Sequence, residues 1–100
     1  MITAEISIYP MGTGTTSVSE YIAVAEKVLE KYPHLDHKIN SMSTEISGHN
    51  IDDIFEVMKE MHLAVLENGA LRVVTSFKID DRRDKECTME EKVDSVISKM

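Results

Sequence analysis

Three of the four histidines stand close enough in the sequence to suggest a metal site. His34 and His37 lie in one short segment with Asp36 between them, and His49 follows a little further along the chain. Imidazole nitrogens and carboxylate oxygens are common ligands of transition metals. However, the chain has no compact ligand motif such as H-E-x-x-H, and histidines in exposed loops are common. A metal-dependent enzyme that uses these histidines is therefore the least favoured of three functional interpretations.

A glycine- and threonine-rich loop is a second candidate. Residues 12–16 read Gly-Thr-Gly-Thr-Thr and precede a predicted helix. Free N–H groups at a helix N-terminus could hold a phosphate or a carboxylate. The loop lacks the third glycine of a dinucleotide fingerprint and the Gly-Lys-Ser/Thr of a P-loop. We therefore interpret it as a connection between a strand and a helix.

Residues for nucleophilic catalysis are not evident. Cys87 is the only cysteine and has no histidine near it in the sequence, and no serine lies in a G-x-S-x-G motif. The paired carboxylates 52–53 and 80–81 are better explained as helix-cap and loop charges. The remaining histidine, His62, is interpreted as a packing residue. We predict that the protein is not an enzyme.

Composition narrows the class of protein. One hundred residues that are 42% hydrophobic make one compact domain over residues 1–100. The net charge of -7 argues against a nucleic-acid partner, which would require a concentrated Lys/Arg surface. One cysteine excludes a disulfide scaffold, and no apolar run is long enough to predict a membrane span or a leader. We therefore expect a cytoplasmic protein.

The elements that would position these residues follow from periodicity. Apolar and polar residues alternate over 2–9, as in a strand with one buried face, and we expect Pro10 to end that strand. A capping box of Ser17 and Glu20 predicts the start of a helix, which Pro33 closes. The later predicted elements are two brief strands (38–40 and 45–47), a helix capped by Asn50 and ended by Asn68-Gly69, a long strand (71–79), and a helix opened by a capping box of Thr88 and Glu91.

This order predicts an α+β fold of the ferredoxin-like, βαββαβ type. Right-handed crossovers give an antiparallel sheet in the order 4-1-3-2, with two helices on one face. Residues 86–100 form a C-terminal helical extension. The loops 11–16, 41–44 and 69–72 are expected at one end of the sheet, and the histidine segments at the other.

The second face of the predicted sheet has no helix of the βαββαβ unit to cover it. We expect it to carry Glu5, Ser7, Tyr9, Arg72, Ser76 and Lys78. Water, the last helix or another subunit must cover that face. A structural or regulatory homo-oligomer without a small ligand is therefore an alternative function.

Short motifs along nearly the whole chain are similar to those of a known family. They are Pro10-Met11-Gly12-Thr13, Thr16-Ser17-Val18-Ser19-Glu20-Tyr21, Met42-Ser43-Thr44, Arg72-Val73, Lys78-Ile79-Asp80-Asp81-Arg82-Arg83 and Glu91-Lys92-Val93. Together they resemble the thiamine-binding, YkoF-like family of small proteins. The resemblance implies a ferredoxin-like fold, assembly into homodimers or homotetramers, and binding of thiamine or its hydroxymethylpyrimidine part without any cofactor.

The chain departs from the family in one turn. Where the family usually reads Met-Gly-Thr-x-x-Glu-Gly, this sequence has Ser43 for the glycine and Ser47 for the glutamate. Strand alternation places Glu45 on the same face as Ser47, so Glu45 could replace the missing carboxylate. The resemblance implies a ligand site that comprises Thr44, Glu45, Ser47, Ser17 and Arg72.

Overall fold

The computed structural model describes every residue from Met1 to Met100. Four strands form one antiparallel sheet in the order β2-β3-β1-β4, which is the predicted order read in reverse. The ferredoxin-like α+β fold is therefore confirmed. None of its helices combines the length and the apolar character that crossing a bilayer requires. The elements are β1 (Ile2–Met11), α1 (Ser19–Lys27) followed by a 3-10 turn (Val28–Lys31), β2 (Asp36–Ile39), β3 (Thr44–Gly48), α2 (Ile51–Glu67), β4 (Arg72–Asp81) and α3 (Met89–Ile97).

The core lies between the sheet and the helices α1 and α2. The even-numbered residues of β1 from Ile2 to Ile8 are buried, as the alternation predicts, and Ile46 of β3 is fully enclosed beside them. α2 contributes a stripe at helical spacing, because residues three and four apart share one helix face. Its buried members are Ile54, Val57, Met58, Met61 and Val65.

The prediction that Pro10 ends the first strand is wrong. β1 continues to Met11, and Pro10 lies opposite Val73 of β4. Met1 and Arg82 exchange both backbone hydrogen bonds, at 2.9 and 3.2 Å. Hydrogen-bonded and non-hydrogen-bonded pairs alternate along an antiparallel ladder, so the nitrogen of Pro10 faces away from β4. Because β3 pairs with β1 only as far as Ile6, the missing N–H leaves no ladder bond broken.

The predicted capping box at α1 does not form. The helix begins at Ser19 after Val18, and no side chain caps it. Instead, the hydroxyl of Thr15 accepts from the backbone N–H of Ser17 at 3.2 Å, and the hydroxyl of Thr13 donates to the carbonyl of Thr15 at 3.0 Å. These local hydrogen bonds compete with the cap and hold the loop in its own conformation.

The caps of the other two helices agree with the sequence. Asn50 accepts from the N–H of Asp52 at 2.8 Å, and Gly69, with φ of +104°, ends the segment after α2. Thr88 accepts from the N–H of Glu91 at 3.1 Å. α3 is anchored at one end of the second sheet face, where Lys92 forms an ion pair with Asp80.

Candidate functional site

A cleft of about 260 Å³ opens between α1, β1 and the turn that joins β2 to β3. Most of its lining is apolar, with Ile6 and Ile8 from the sheet, Ile22 from α1 and Met61 from α2. The polar lining comes from the turn, from Ser7 on β1, from Thr44 at the start of β3 and from Glu26 on α1. A concave apolar site with a few converging polar groups is the usual form of a small-molecule pocket.

The polar centre of the cleft is the pair Glu26 and Thr44. Thr44 lies opposite Ile6 in the sheet and therefore points towards the helices, where its hydroxyl donates to Oε1 of Glu26. The second carboxylate oxygen, Oε2 of Glu26, is buried and has no hydrogen-bond partner. A buried acceptor without a donor costs about 1–3 kcal/mol. The free oxygen is therefore a ready acceptor for a ligand that donates a hydrogen bond.

Sequence reasoning missed Glu26, although a signal for it exists. Glu26 lies four residues after Ile22 and three before Leu29, so it interrupts the apolar stripe of the first helix. A carboxylate on the core-facing side of a helix must be paired or functional. This residue could have been selected on that ground alone.

The β2–β3 turn forms one wall of the cleft and is held by specific hydrogen bonds. The backbone N–H of Asn40 donates to the carbonyl of Ser43 at 2.8 Å. The hydroxyl of Ser7 donates to the carbonyl of Met42 at 3.1 Å, which ties the turn to β1. The Met42 side chain is 84% exposed and stands at the edge of the cleft. The predicted convergence of this turn with the end of β1 is therefore confirmed.

An open groove between α1 and β2 continues the cleft. The two depressions share Val18, Ile22, Glu26 and Ile39. Ser17 lies in this groove. A ligand longer than one ring could therefore extend from the cleft into the groove.

The structure does not bring the five predicted site residues together. Thr44 lines the cleft and Ser17 the adjoining groove. Glu45 and Ser47 alternate with Thr44 along β3 and point to the other face of the sheet, where Ser47 donates to the carbonyl of Ile2 at 3.1 Å. Arg72 begins β4 opposite Met11 and does not line the cleft.

The predicted gathering of His34, His37 and His49 is wrong. His34 lies 2.9 Å from Asp53 and His49 lies 2.9 Å from Glu86, whereas His37 lines the groove beside α1. The structure contains no group of three or more side chains that could hold a metal. Separate elements direct His34 and His49 to different carboxylates and His37 towards the groove, although the segments share one end of the fold.

The contacts of Glu86 affect its protonation. His49 and the amino terminus both donate hydrogen bonds to its carboxylate, and they hold the pKa of Glu86 below its ordinary value. The carboxylate therefore stays charged at neutral pH. It links the amino terminus and His49 to the loop that precedes α3.

The comparisons with known proteins agree with this architecture. A family model described as "Thiamine-binding protein" matches residues 4–97. The chain belongs to this thiamine-binding protein family. A UPF0045 protein of Methanothermobacter thermautotrophicus is 42% identical over 100 residues, which cover the whole of both chains.

Two solved structures are similar in fold. A hypothetical protein of Methanocaldococcus jannaschii superimposes with a TM-score of 0.85 at 44% identity, covering 95% of this chain and 94% of that chain. A Thermotoga maritima protein, described as a candidate thiamine biosynthesis/salvage protein, gives a TM-score of 0.77 at 23% identity over 95% of this chain and 97% of that chain. The second likeness shows the fold alone.

Proposed function

We propose that this protein binds thiamine or a hydroxymethylpyrimidine-like heterocycle in the cleft beneath α1, without catalysing a reaction on it. The observation that carries the proposal is the buried Oε2 of Glu26, an acceptor with no partner inside a mostly apolar cleft. Membership of the thiamine-binding protein family supports the ligand class.

The chemistry of an aminopyrimidine suits this site. Its exocyclic amine donates hydrogen bonds, and a carboxylate acceptor makes such bonds shorter and stronger. The flat ring would pack against the aliphatic side chains of Ile6, Ile8 and Ile22. Ligand pockets usually measure about 300–1,000 Å³, so a cleft of about 260 Å³ suits a single small ring. The net charge of -7 also favours a cationic thiazolium in the adjoining groove.

The residues of the proposed site differ in part from those that the sequence predicts. Thr44 and Ser17 stay in the proposal, and Glu26 is added as the principal hydrogen-bond acceptor. Glu45, Ser47 and Arg72 are the contacts that the family resemblance implies for a ligand on the second face of the sheet, and the same binding measurements test that alternative. A cytoplasmic location likewise remains a prediction from the sequence.

Two groups with catalytic potential are held in unreactive settings, which supports a binding role. Cys87 is buried. Tyr32 donates to Glu60 at 2.6 Å, and burial together with that carboxylate raises the pKa of Tyr32 to about 12. Tyr32 therefore stays protonated at neutral pH.

The test is a thermal-shift screen against thiamine, its phosphates and hydroxymethylpyrimidine, followed by calorimetry of any positive compound. A ligand at a hundred times its Kd stabilises the native state by about 2.7 kcal/mol. We expect Glu26→Gln and Thr44→Val to lose about half of this stabilisation or more at the same ligand concentration. Glu20→Gln, a matched change at an exposed position of α1, should bind like the wild type. The absence of any shift across the panel, or full affinity in Glu26→Gln, would contradict the proposal.

A structural homo-oligomer, as a homodimer or homotetramer, is the second candidate function. The observation in its favour is the apolar stripe of α3, where Val93, Val96 and Ile97 are at least half exposed. Light scattering of the purified chain tests it. An oligomer together with no response to the ligand panel would favour this function over the first.

A further inference from the structure

Three hydroxyl groups that line the cleft already donate their protons within the protein. A serine or threonine hydroxyl has one hydrogen to donate and two lone pairs that can accept. Ser7 donates to a backbone carbonyl of the β2–β3 turn at 3.1 Å, and Ser43 donates to the carboxylate of Glu5 at 3.1 Å. Thr44 donates to Oε1 of Glu26. Each of these hydroxyl groups therefore has only acceptor capacity left for a ligand.

The partners fix the direction of these hydrogen bonds. A carbonyl oxygen and an ionised carboxylate can only accept, so the hydroxyl is the donor in all three contacts. Glu26 adds one more acceptor, because its Oε2 is buried and has no partner. The final torsion of a glutamate side chain is broad, so a small rotation of the carboxylate turns this oxygen towards the cleft. The polar side chains that are at least partly buried in the cleft thus present acceptors and no donor.

The remaining polar side chains of the cleft are all exposed. They are Tyr9, Asn40 and Ser41. Water satisfies donors and acceptors alike at exposed positions, so such groups discriminate weakly between ligands. A buried polar group discriminates more strongly, since a ligand that fails to match it leaves it unpaired. The selectivity of the cleft is therefore set at its centre, by Glu26 and Thr44.

We propose that the cleft selects a ring amine against a carbonyl at the same ring position, and that Thr44 shares this recognition with Glu26. The inference rests on the proposed function and names the class of heterocycle that the site accepts. One N–H of the amine donates to Oε2 of Glu26 and the other to Oγ1 of Thr44, two side chains that are hydrogen-bonded neighbours. A carbonyl oxygen would set its lone pairs against both acceptors and satisfy neither.

This selection gives the protein a place relative to reactions of the ring. Hydrolytic deamination replaces the C–NH2 group by C=O, with the oxygen supplied by water and the nitrogen released as ammonia. The exocyclic group changes from a double donor to an acceptor, so the product no longer matches Glu26 and Thr44. The chain therefore holds the heterocycle before a deamination of this class and does not hold its product.

Calorimetry with three matched rings tests the selection in the wild-type chain. The probes are hydroxymethylpyrimidine, the same ring with hydrogen in place of the amine, and the same ring with a carbonyl there. We expect the hydrogen analogue to bind about tenfold more weakly than the amine, and the carbonyl analogue at least about a hundredfold more weakly. This series needs no variant, so its result stands even if a substitution in the cleft prevents folding.

Glu26→Gln should shift the preference towards the carbonyl analogue. Thr44 can still donate to Oε1 of the new amide, which leaves the amide nitrogen, a donor, in the place of Oε2. The amine should then bind at least about tenfold more weakly than to the wild type, and the carbonyl analogue at least about tenfold more tightly. The ratio of the two affinities should fall by at least about a hundredfold.

Changes at Thr44 test its share in the recognition. Thr44→Ser keeps the hydroxyl and should leave the ratio of the two affinities within about threefold of the wild type. Thr44→Val removes this acceptor together with the hydrogen bond that holds Glu26, and should lower the ratio about tenfold. Glu20→Gln, at an exposed position of α1, should leave both affinities unchanged. The unfolding midpoint of each variant without ligand shows whether its fold is intact.

The outcomes separate this inference from the proposed function. Equal binding of the amine and the carbonyl analogue to the wild type, or tighter binding of the carbonyl analogue, would overturn the inference and leave a binding function intact. A preference for the amine that a folded Glu26→Gln chain retains would also overturn it, because another group would then recognise the amine. If neither thiamine nor any probe bound to the wild type, the proposed function would fail and the inference with it.

Discussion

Glu26 and Glu45 approach the same sheet from opposite sides. Glu26 reaches the helix-covered face, where Thr44 holds one oxygen and the other is buried without a partner. Glu45 lies on the second face directly opposite Glu5, and a depression with Lys78 surrounds them. The hydroxyl of Ser43 donates to Glu5 at 3.1 Å.

The difference between the two faces shows how setting controls the chemistry of a carboxylate. On the second face, Glu5 already has Ser43 and Lys78 as partners and both carboxylates are partly exposed, so a ligand gains little by contacting them. In the cleft, mostly apolar walls surround a carboxylate oxygen that no protein group satisfies, so a ligand that donates a hydrogen bond there gains more. A test of function should therefore compare variants across the two faces.

The largest expected difference concerns stability. Ile46 and Ser47 are neighbours in β3, both buried, and they face opposite sides of the sheet. Ile46→Ala leaves a cavity in the core and should lower the free energy of unfolding by about 2–5 kcal/mol. Ser47→Ala loses one hydrogen bond, worth about 1 kcal/mol. Urea denaturation of both variants measures this contrast, and similar losses would show that the second face carries more of the core than its contacts suggest.

The next contrast concerns the ligand. Glu26→Gln should weaken binding of hydroxymethylpyrimidine or thiamine by at least about tenfold, because a charge-assisted hydrogen bond contributes about 1.5–3 kcal/mol. Glu45→Gln should change the affinity by less than about twofold. Calorimetry gives both values. If Glu45→Gln had the larger effect, the ligand would bind at the second face, and Glu45 would replace the family carboxylate as the sequence predicts.

A smaller effect is expected at the helices above the two faces. Thr88 caps α3, which is anchored at the second face, whereas Ser17 caps nothing at the start of α1. Thr88→Ala should lower the local stability of α3 by about 1 kcal/mol and speed its amide exchange about fivefold. Ser17→Ala should leave the exchange of α1 unchanged. Faster exchange in α1 would show that Ser17 supports that helix after all.

The smallest effect is expected for the exposed ion pair on the second face. Lys78 lies 3.8 Å from Glu5, and both side chains are substantially exposed. Lys78→Ala should change the free energy of unfolding by less than about 0.5 kcal/mol. A loss above 1 kcal/mol in chemical denaturation would mean that the charges of this face are less well solvated than their exposure indicates.

Periodicity and local capping predicted most of the fold. The alternation in β1, the stripe of α2, the Asn50 cap and the Asn68-Gly69 stop depend on neighbours in sequence and agree with the structure. Two local predictions failed because tertiary pairing or a competing loop intervened. Pro10 stays in its strand because β3 does not extend far enough to pair with it. The hydrogen bonds of Thr13 and Thr15 form in place of the predicted cap of α1.

The candidate site was much less predictable. Thr44 was selected through the family motif, and its position in the cleft became visible only in the structure. The same family motif groups Glu45 and Ser47 with Thr44, but strand alternation places these two residues on the opposite face from Thr44. Glu26 was missed because it lies 18 residues from Thr44, its hydrogen-bond partner.

The sequence by itself determined the order of elements, the faces they bury and the family to which the chain belongs, because those depend on local periodicity and motif. Only the tertiary structure decided which polar groups meet. The contact between Glu26 and Thr44, the separate partners of His34 and His49, and the pairing of Pro10 with Val73 all arise from segments distant in sequence. Contacts of this kind depend on how the layers pack and on which residues of a strand form hydrogen bonds to each neighbouring strand. Neither can be predicted from the residues of one element alone.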